Sequence, residues 1–366
     1  MFCKIVHMSS PAVSIIVASY NYEQWLSQAL QSALDQYFAD FELLVVDDGS
    51  TDGSLAVARD FAARDARVRV LTHADGGNHG LPATLALGLS VARGRWTAFL
   101  EADDVWTRDN LSLRLAAADG TDAGVIFNDV ELWPMPGAAT GWFAGYVPRV
   151  MAGHARRGRA GQRAFSLCGP MLVENAIPTF SCAMVRTEFL RACDWQSPVP
   201  RWTDWWLWCQ LACRTRFFFV PHRLVRWRLH ATSQHHGVGG GYLHDYARMG
   251  RGLARLLGPE LTAGGRRRWL WYLRLPAAVR LAVRLGRMVM YQGLRRSLRQ
   301  VAERLDADAT CYGSVPVSSG WSFWTWICSR MWHVDQKNDR RGRKSAFLCH
   351  MDSYRWWTDG CHAGSW

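Results

Sequence analysis

From Val13 to Ser19 the chain reads VSIIVAS, a near-continuous apolar, β-branched run. A strand reads this way when helices cover both faces of a parallel sheet. Asn21 follows as a helix cap with Gln24 three residues on, as in a capping box, and Leu26, Leu30, Ala33 and Leu34 recur at helical spacing. The alternation then repeats: Phe41–Asp47 predicts a strand, Ser54–Arg64 a helix, Arg67–Thr72 a strand, Leu81–Ala92 a helix and Arg95–Leu100 a strand. Thr107 is placed to cap a helix carrying Leu111 and Leu115, and Ala123–Asn128 reads as one more strand. Parallel neighbours need a crossover and a helix supplies it, so residues 11–130 are expected to form an α/β domain with a largely parallel sheet.

After Trp133 the pattern loosens into a Pro-, Gly- and Arg-containing region reaching Pro170, which reads as loops over the active face. Order is expected to return with Ile177–Val185 as a strand, Asp204–Cys213 as a Trp-rich helix, and Phe217–Val220 and Leu224–Leu229 as short strands. Residues 266–300 alternate arginines with Leu, Trp, Val and Tyr and predict one or two basic amphipathic helices. Such helices either pack on the domain with a solvated basic face or lie on a membrane surface. Beyond Asp308 alanine and leucine nearly vanish while Trp, Cys, Ser and His crowd together without periodicity; this tail reads either as disordered or as a reading-frame artefact, and no function is assigned to it.

A chain of 366 residues that is 49% hydrophobic has ample material for a buried core. The net charge of +12 favours an anionic partner: a nucleotide, a nucleic acid or an acidic membrane surface. Its ten cysteines include no Cys-x-x-Cys pair, which suits a reducing compartment. The segment Cys3–Met8 is too short and mixed for a secretory leader, and no run approaches the roughly 18 apolar residues that span a bilayer. The expectation is a cytoplasmic protein, peripheral on the inner face of the membrane if the basic helices bind lipid.

Two acidic motifs carry candidate chemistry. Asp47-Asp48-Gly49-Ser50-Thr51-Asp52 falls where the second strand ends, the position at which open α/β sheets bind ligands, although these are also ordinary turn residues. Glu101-Ala102-Asp103-Asp104 directly follows the strand ending at Leu100. Carboxylates this close repel unless a cation or a set of donors stabilises them, so the cluster suits a hard divalent ion, Mg²⁺ or Mn²⁺, or a solvated acidic turn. The segment HADGGNHG at residues 73–80 lacks both the dinucleotide glycine spacing and a P-loop lysine, and reads as a flexible loop beside these motifs.

Taken in order, VSIIVASYN (13–21), VVDDGSTD (45–52), Asn78-His79-Gly80 and FLEADDVW (99–106) resemble the family-two inverting glycosyltransferases of the GT-A fold, over about residues 11–236. The resemblance implies a Rossmann-like, mostly parallel sheet flanked by helices. Residues 11–130 would be the nucleotide-sugar-binding half and 131–236 the acceptor and catalytic half of one domain, with 237–305 a basic helical extension and 306–366 unassigned. By the same resemblance, Tyr20 and one carboxylate of Asp47 and Asp48 hold the nucleobase, and Glu101 and Asp103 fall on the DxD motif. Asp103 is then the metal ligand with Asp104 beside it, and Glu101 stands where the family usually has Asp. Asp204 matches the general base, with Thr203 in place of the common Glu. Arg226, Arg228 and His230 resemble the Arg-x-His segment, His230 completing the metal site and Arg228 meeting the diphosphate. Ala18 and Leu85-Ala86 also depart from the family pattern.

The function implied is transfer of a sugar from a nucleotide-sugar donor, a UDP-sugar in the first instance, to a glycan or lipid-linked hydroxyl acceptor with inversion, aided by Mn²⁺ or Mg²⁺. Trp205 and its neighbours Trp202, Trp206 and Trp208 either stack on an acceptor sugar or pack in the core. A non-catalytic sugar-binding protein of the same fold stays open as the alternative. A nucleotidyltransferase lacks its Gly-rich, Lys-bearing signature here, and no nucleic-acid motif appears.

Overall fold

A computed structural model describes residues 10–138, 140–159, 161–230 and 242–292. Its core is one sheet of eight strands: β1 Val13–Ser19, β2 Phe41–Asp47, β3 Val68–Thr72, β4 Trp96–Phe99, β5 Val105–Trp106, β6 Ala123–Pro134, β7 Ala183–Arg186 and β8 Arg216–Leu229. The strand order is β3-β2-β1-β4-β7-β6-β8-β5. Four of the seven pairings are parallel, those of β1 with β2 and β4, of β2 with β3, and of β6 with β8. The pairings of β7 with β4 and β6, and of β5 with β8, are antiparallel. This is the helix-flanked, mostly parallel sheet that the resemblance implies, with antiparallel strands confined to its second half.

Along β1 and β2 nearly every side chain is buried, as continuous apolar runs covered on both faces require. Helices α1 Glu23–Leu34, α2 Ser54–Arg64, α3 Leu81–Val91 and α4 Asn110–Ala118 provide the crossovers. All four stand where the hydrophobic periodicity puts them. The cap of α1 differs from expectation: its N-cap is Tyr22, without a side-chain cap bond. Asn21 instead adopts φ 59° and its side-chain oxygen accepts from the Thr51 N–H at 2.8 Å. Asn21 therefore ties the ends of β1 and β2 together.

The second half departs further. Where loops are expected, α5 Gly141–Arg157 forms, burying Tyr146, Val147, Val150, Met151 and His154 at helical spacing despite Pro148 inside it. The segment read as a strand from Ile177 is largely irregular, with a 3₁₀ turn at Phe180–Cys182 before β7. The two short strands expected after residue 217 are one long strand, β8, with a register shift opposite Asn128 and Asp129 that absorbs Pro221 and His222. Short helices α6 Cys168–Val173 and α7 Thr187–Arg191 precede the Trp-rich α8 Thr203–Arg214.

The basic extension is helical: α9 Tyr242–Ala263, α10 Arg267–Arg274 and α11 Ala277–Gln292. Among the described residues no helix is long and apolar enough to cross a membrane. The unassigned segment 306–366 lies outside the described residues.

Candidate active site

The acidic loops leave the carboxyl ends of β2 and β4, which flank β1. After β2, the loop is held to the start of α1 by a zipper of bonds: Asn21 N–H to Ser50 Oγ at 3.1 Å, Tyr22 N–H to Ser54 Oγ at 2.8 Å and Glu23 N–H to Asp52 Oδ2 at 3.1 Å. Gly49, at φ 75°, approaches the next loop so closely that a Cβ would lie 2.7 Å from the Gly77 carbonyl carbon. Both conformation and space demand glycine there.

Asp48 accepts the His79 N–H at 2.8 Å and the Gly80 N–H at 2.9 Å, one on each oxygen. The segment at residues 73–80, expected to be a flexible loop, is thereby pinned to β2. Asp47 directs Oδ2 to the N–H groups of Gly49 and Ser50, at 3.2 and 3.0 Å, while its buried Oδ1 has no hydrogen-bond partner. Ser19, its register partner on β1, likewise buries an Oγ without a partner. Buried polar atoms are normally satisfied, so these two are exceptions that stand side by side at the ends of β1 and β2. Tyr20, the next residue after β1, is 43% exposed and presents an open ring.

After β4 the second cluster divides in the same way. Asp104 is fully buried and saturated: Oδ1 accepts the Arg228 N–H at 3.0 Å, and Oδ2 accepts the hydroxyls of Ser181 at 2.6 Å and Thr179 at 3.2 Å. Burial, then repulsion from Asp103, pushes its carboxyl up to about 8. Glu101 shares the single Thr179 hydroxyl proton with Asp104, and burial followed by repulsion from Asp104 and Asp103 raises it well above the usual carboxylate range. Asp103 is different. Its Oδ2 lies 2.9 Å from Nε2 of His230, a residue 127 positions downstream. Tyr22 belongs to this site as well: burial raises its phenol, and Asp103, Glu101 and Asp104 add to the effect.

His230 is brought in by the end of β8. Arg228, two residues earlier, is sandwiched between the rings of Trp25 at 4.1 Å and Trp133 at 4.0 Å. It donates Nε to the Asp103 carbonyl at 2.7 Å and Nη2 to Gln28 at 2.7 Å. Arg228, which the resemblance places at the diphosphate, is 2% exposed here and its guanidinium fixes the Asp103 backbone. Arg226 lies outward and pairs with Glu131 at 3.2 Å.

Among the described residues no group of three or more acidic, His or Cys side chains is arranged to hold a metal ion. What the residues offer is the Asp103 and His230 pair, Asp104 being consumed by protein donors. Mg²⁺ and Mn²⁺ take most of their oxygens from water and substrate phosphates, so one carboxylate and one imidazole fit such an ion.

The remaining carboxylate, Asp204, stands in the first turn of α8. Asn175 donates Nδ2 to its Oδ2 at 2.6 Å, and the Ile177 N–H, 3.3 Å from Asn175 Oδ1, sets which way that amide points. The Tyr146 hydroxyl, from α5, donates to the Asn175 carbonyl. Burial lifts Asp204 to about 6, against the opposing pull of the Trp205 N–H and Asn175. Asp204 is also near enough to add its repulsion at Glu101. Trp205 itself is 4% exposed, donates its indole N–H to the Met171 carbonyl at 2.6 Å and stacks on Tyr246. Its ring packs in the core and offers no open face to a sugar; Trp206 and Trp208 are buried too.

Tyr22, Trp25, Asn175, Thr179 and Ser181 thus join the site without a sequence motif of their own. The only local hint is the pair of hydroxyls in Thr179-Phe180-Ser181, set in an otherwise apolar stretch.

Residues 14–137 match glycosyl transferase family 2. The chain is 42% identical over 94 residues to the uncharacterized glycosyltransferase EpsJ of Bacillus subtilis, covering 26% of each protein. It is 32% identical over 125 residues to the UDP-Glc:alpha-D-GlcNAc-diphosphoundecaprenol beta-1,3-glucosyltransferase WfgD of Escherichia coli, covering 34% of this chain and 48% of that one. The match therefore spans less than half the length of either relative. Among solved structures, S. aureus TarS 1–349 in complex with UDP-GlcNAc aligns with a TM-score of 0.49 at 16% identity, over 81% of this chain and 89% of that one.

Proposed function

We propose that this chain, whose residues 14–137 match glycosyl transferase family 2, moves a sugar from a nucleoside-diphosphate sugar to a hydroxyl acceptor with inversion. The observation that carries the proposal is the convergence of three separate segments: Asp103 meets His230 beyond the end of β4, and Asp204 stands within electrostatic reach of the same cluster.

The donor base is assigned to the ends of β1 and β2. An imide N–H of uracil is the kind of donor that the unpartnered Asp47 Oδ1 lacks, and the exposed Tyr20 ring suits stacking on a base. This supports UDP as the first nucleotide to try. Asp48 contributes indirectly by fixing the loop that ends at Gly80.

Asp103 and His230 are the residues that would hold Mn²⁺ or Mg²⁺. Bound there, such an ion neutralises diphosphate charge and makes the nucleotide a better leaving group. Asp204 is the base: with its carboxyl near 6 it is mostly ionised at neutral pH yet retains proton affinity. It would take the acceptor hydroxyl proton while that oxygen attacks the anomeric carbon opposite the departing diphosphate. One displacement with one base inverts configuration. WfgD, by its name, acts on a diphosphoundecaprenol-linked sugar; a lipid-linked glycan of cell-surface polysaccharide synthesis is the acceptor class proposed here.

The test is release of nucleoside diphosphate and transfer of labelled sugar from a panel of UDP-, GDP- and dTDP-sugars to polyprenyl-diphosphate sugars, using the full chain. Transfer from one donor, with inverted anomeric configuration by NMR, is the expected result. Nucleotide binding with no transfer to any acceptor in the panel would favour the sugar-binding alternative instead.

A further inference from the structure

The arginine-rich extension divides into inward and outward residues, and the division points to a partner. Residues 242–284 contain nine arginines and two acids, Asp245 and Glu260. Both acids are engaged, Asp245 with Arg201 at 2.6 Å and Glu260 with Arg214 at 2.7 Å. On α11, Arg280 and Arg284 turn into the protein: Arg280 is 3% exposed and donates to the Tyr246 carbonyl at 2.8 Å, and Arg284 donates to the Tyr242 hydroxyl. The stretch that reads from sequence as a solvated basic helix therefore uses these two cations for packing.

The outward charge lies on α9 and α10. Arg251 and Arg255 on α9, and Arg267, Arg268 and Arg274 on α10, are exposed, and none has an ion-pair partner among the described residues. Trp271 stands among the α10 arginines at 60% exposure, whereas Leu270 and Leu273 on the same helix are buried. Between the two helices runs a groove of about 540 Å³ with Arg255 and Arg274 on its walls and Ala254, Pro259, Ala263 and Leu270 supplying apolar surface. Free cations around an exposed indole, beside an apolar groove, form the combination that binds a lipid interface. Guanidinium groups meet headgroup phosphates, and an amphipathic ring settles at the boundary between headgroups and acyl chains.

We infer that the exposed α9–α10 face docks this protein on an anionic lipid bilayer, with Arg255, Arg267 and Arg274 contacting headgroup phosphates and Trp271 entering the interface. The inference stands on surface charge and shape and does not depend on the transferase reading. It also locates the contact on α9 and α10, since α11 commits Arg280 and Arg284 to the interior.

Flotation of the full chain with phosphatidylcholine vesicles, with and without about one-third phosphatidylglycerol, is the test. Binding to the anionic vesicles alone is expected, and it should fade as salt rises towards about 0.5 M, where surface charges are screened. Each arginine near an anionic surface is worth roughly fivefold in partitioning, so R255E/R267E/R274E should lower binding by on the order of a hundredfold or more. Trp271→Ser should lower it by about tenfold on the same vesicles. All four side chains are exposed or line an open groove, so circular dichroism and nucleotide titration of the variants should match the parent. Equal binding to zwitterionic vesicles, unchanged binding by the triple variant, or no vesicle binding would overturn the inference. A chain that ignores vesicles but shifts duplex nucleic acid at the same salt would assign the face to that polyanion instead.

Discussion

The loops that follow β2 and β4 each carry two adjacent aspartates, and in each loop the two carboxylates have opposite fates. Asp48 and Asp104 are saturated by protein donors, N–H groups of the loop at residues 79–80 in one case, and the Arg228 N–H with the Thr179 and Ser181 hydroxyls in the other. Asp47 keeps one oxygen without a partner, and Asp103 faces the His230 imidazole. All four carboxylates are buried and so need partners, and in each pair the protein alone satisfies one of them fully. In the proposed mechanism the other is left for nucleotide or metal. An acidic doublet at a strand end is thus read better as one anchor and one binder than as two ligands.

That division can be broken by substitution. The largest effect should come from outside both loops, at Asp204. Asp204→Asn should lower turnover by roughly a hundred to ten thousand fold, the usual worth of a positioned base, while nucleotide affinity from titration stays within about twofold. The parent protein should show the matching pH dependence. In the proposed mechanism Asp204 works only when ionised and burial holds it near 6, so kcat should be level at neutral pH and fall about tenfold per unit below about 6. A flat profile between about pH 5 and 7 would remove Asp204 from that role.

Next in size is the contrast within the second loop. Asp104→Ala strips acceptors from a buried N–H and two hydroxyls and should cost about 3 kcal/mol in urea unfolding. Asp103→Ala should cost about 1 kcal/mol or less, yet abolish the metal dependence of nucleotide binding. Equal losses of stability would contradict the anchor and binder division. In the first loop the contrast is smaller: Asp48→Ala should cost about 2 kcal/mol and free the loop at residues 73–80 to hydrogen exchange, whereas Asp47→Ala should weaken nucleotide binding by about tenfold or more. The smallest effect is expected for Asn175→Ala. Its amide favours the ionised form of Asp204, so turnover should drop about tenfold and the pH inflection should move upward.

Most of the first half of the fold is legible because its signals are local. The apolar runs of β1 and β2 and the helical spacing of Leu26, Leu30 and Ala33 need no distant partner to be interpreted. The second half hides its elements behind exceptions. Pro148 and the glycines around α5 look like loop chemistry, although Tyr146, Val147, Val150 and Met151 make a regular buried face. Pro221 and His222 look like a strand end, but a register shift carries β8 through them. The site shows the same split. The acidic motifs are visible in sequence, whereas the anchoring of Asp104 by Thr179 and Ser181, the Arg228 sandwich and the hold of Asn175 on Asp204 depend on contacts across 29 to 125 or more positions. The burial of Trp205 is equally invisible, since an aromatic at helical spacing reads alike whether it packs or binds sugar.

The most direct measurement is calorimetric titration of UDP, GDP and dTDP into the full chain, with and without Mn²⁺, in the parent and in Asp103→Ala. One nucleotide should bind, at least tenfold more tightly with the metal, and Asp103→Ala should erase that difference while still binding weakly. Absence of binding by all three, or an affinity indifferent both to Mn²⁺ and to the loss of Asp103, would contradict a metal-assisted nucleotide-sugar site at the ends of β1, β2 and β4.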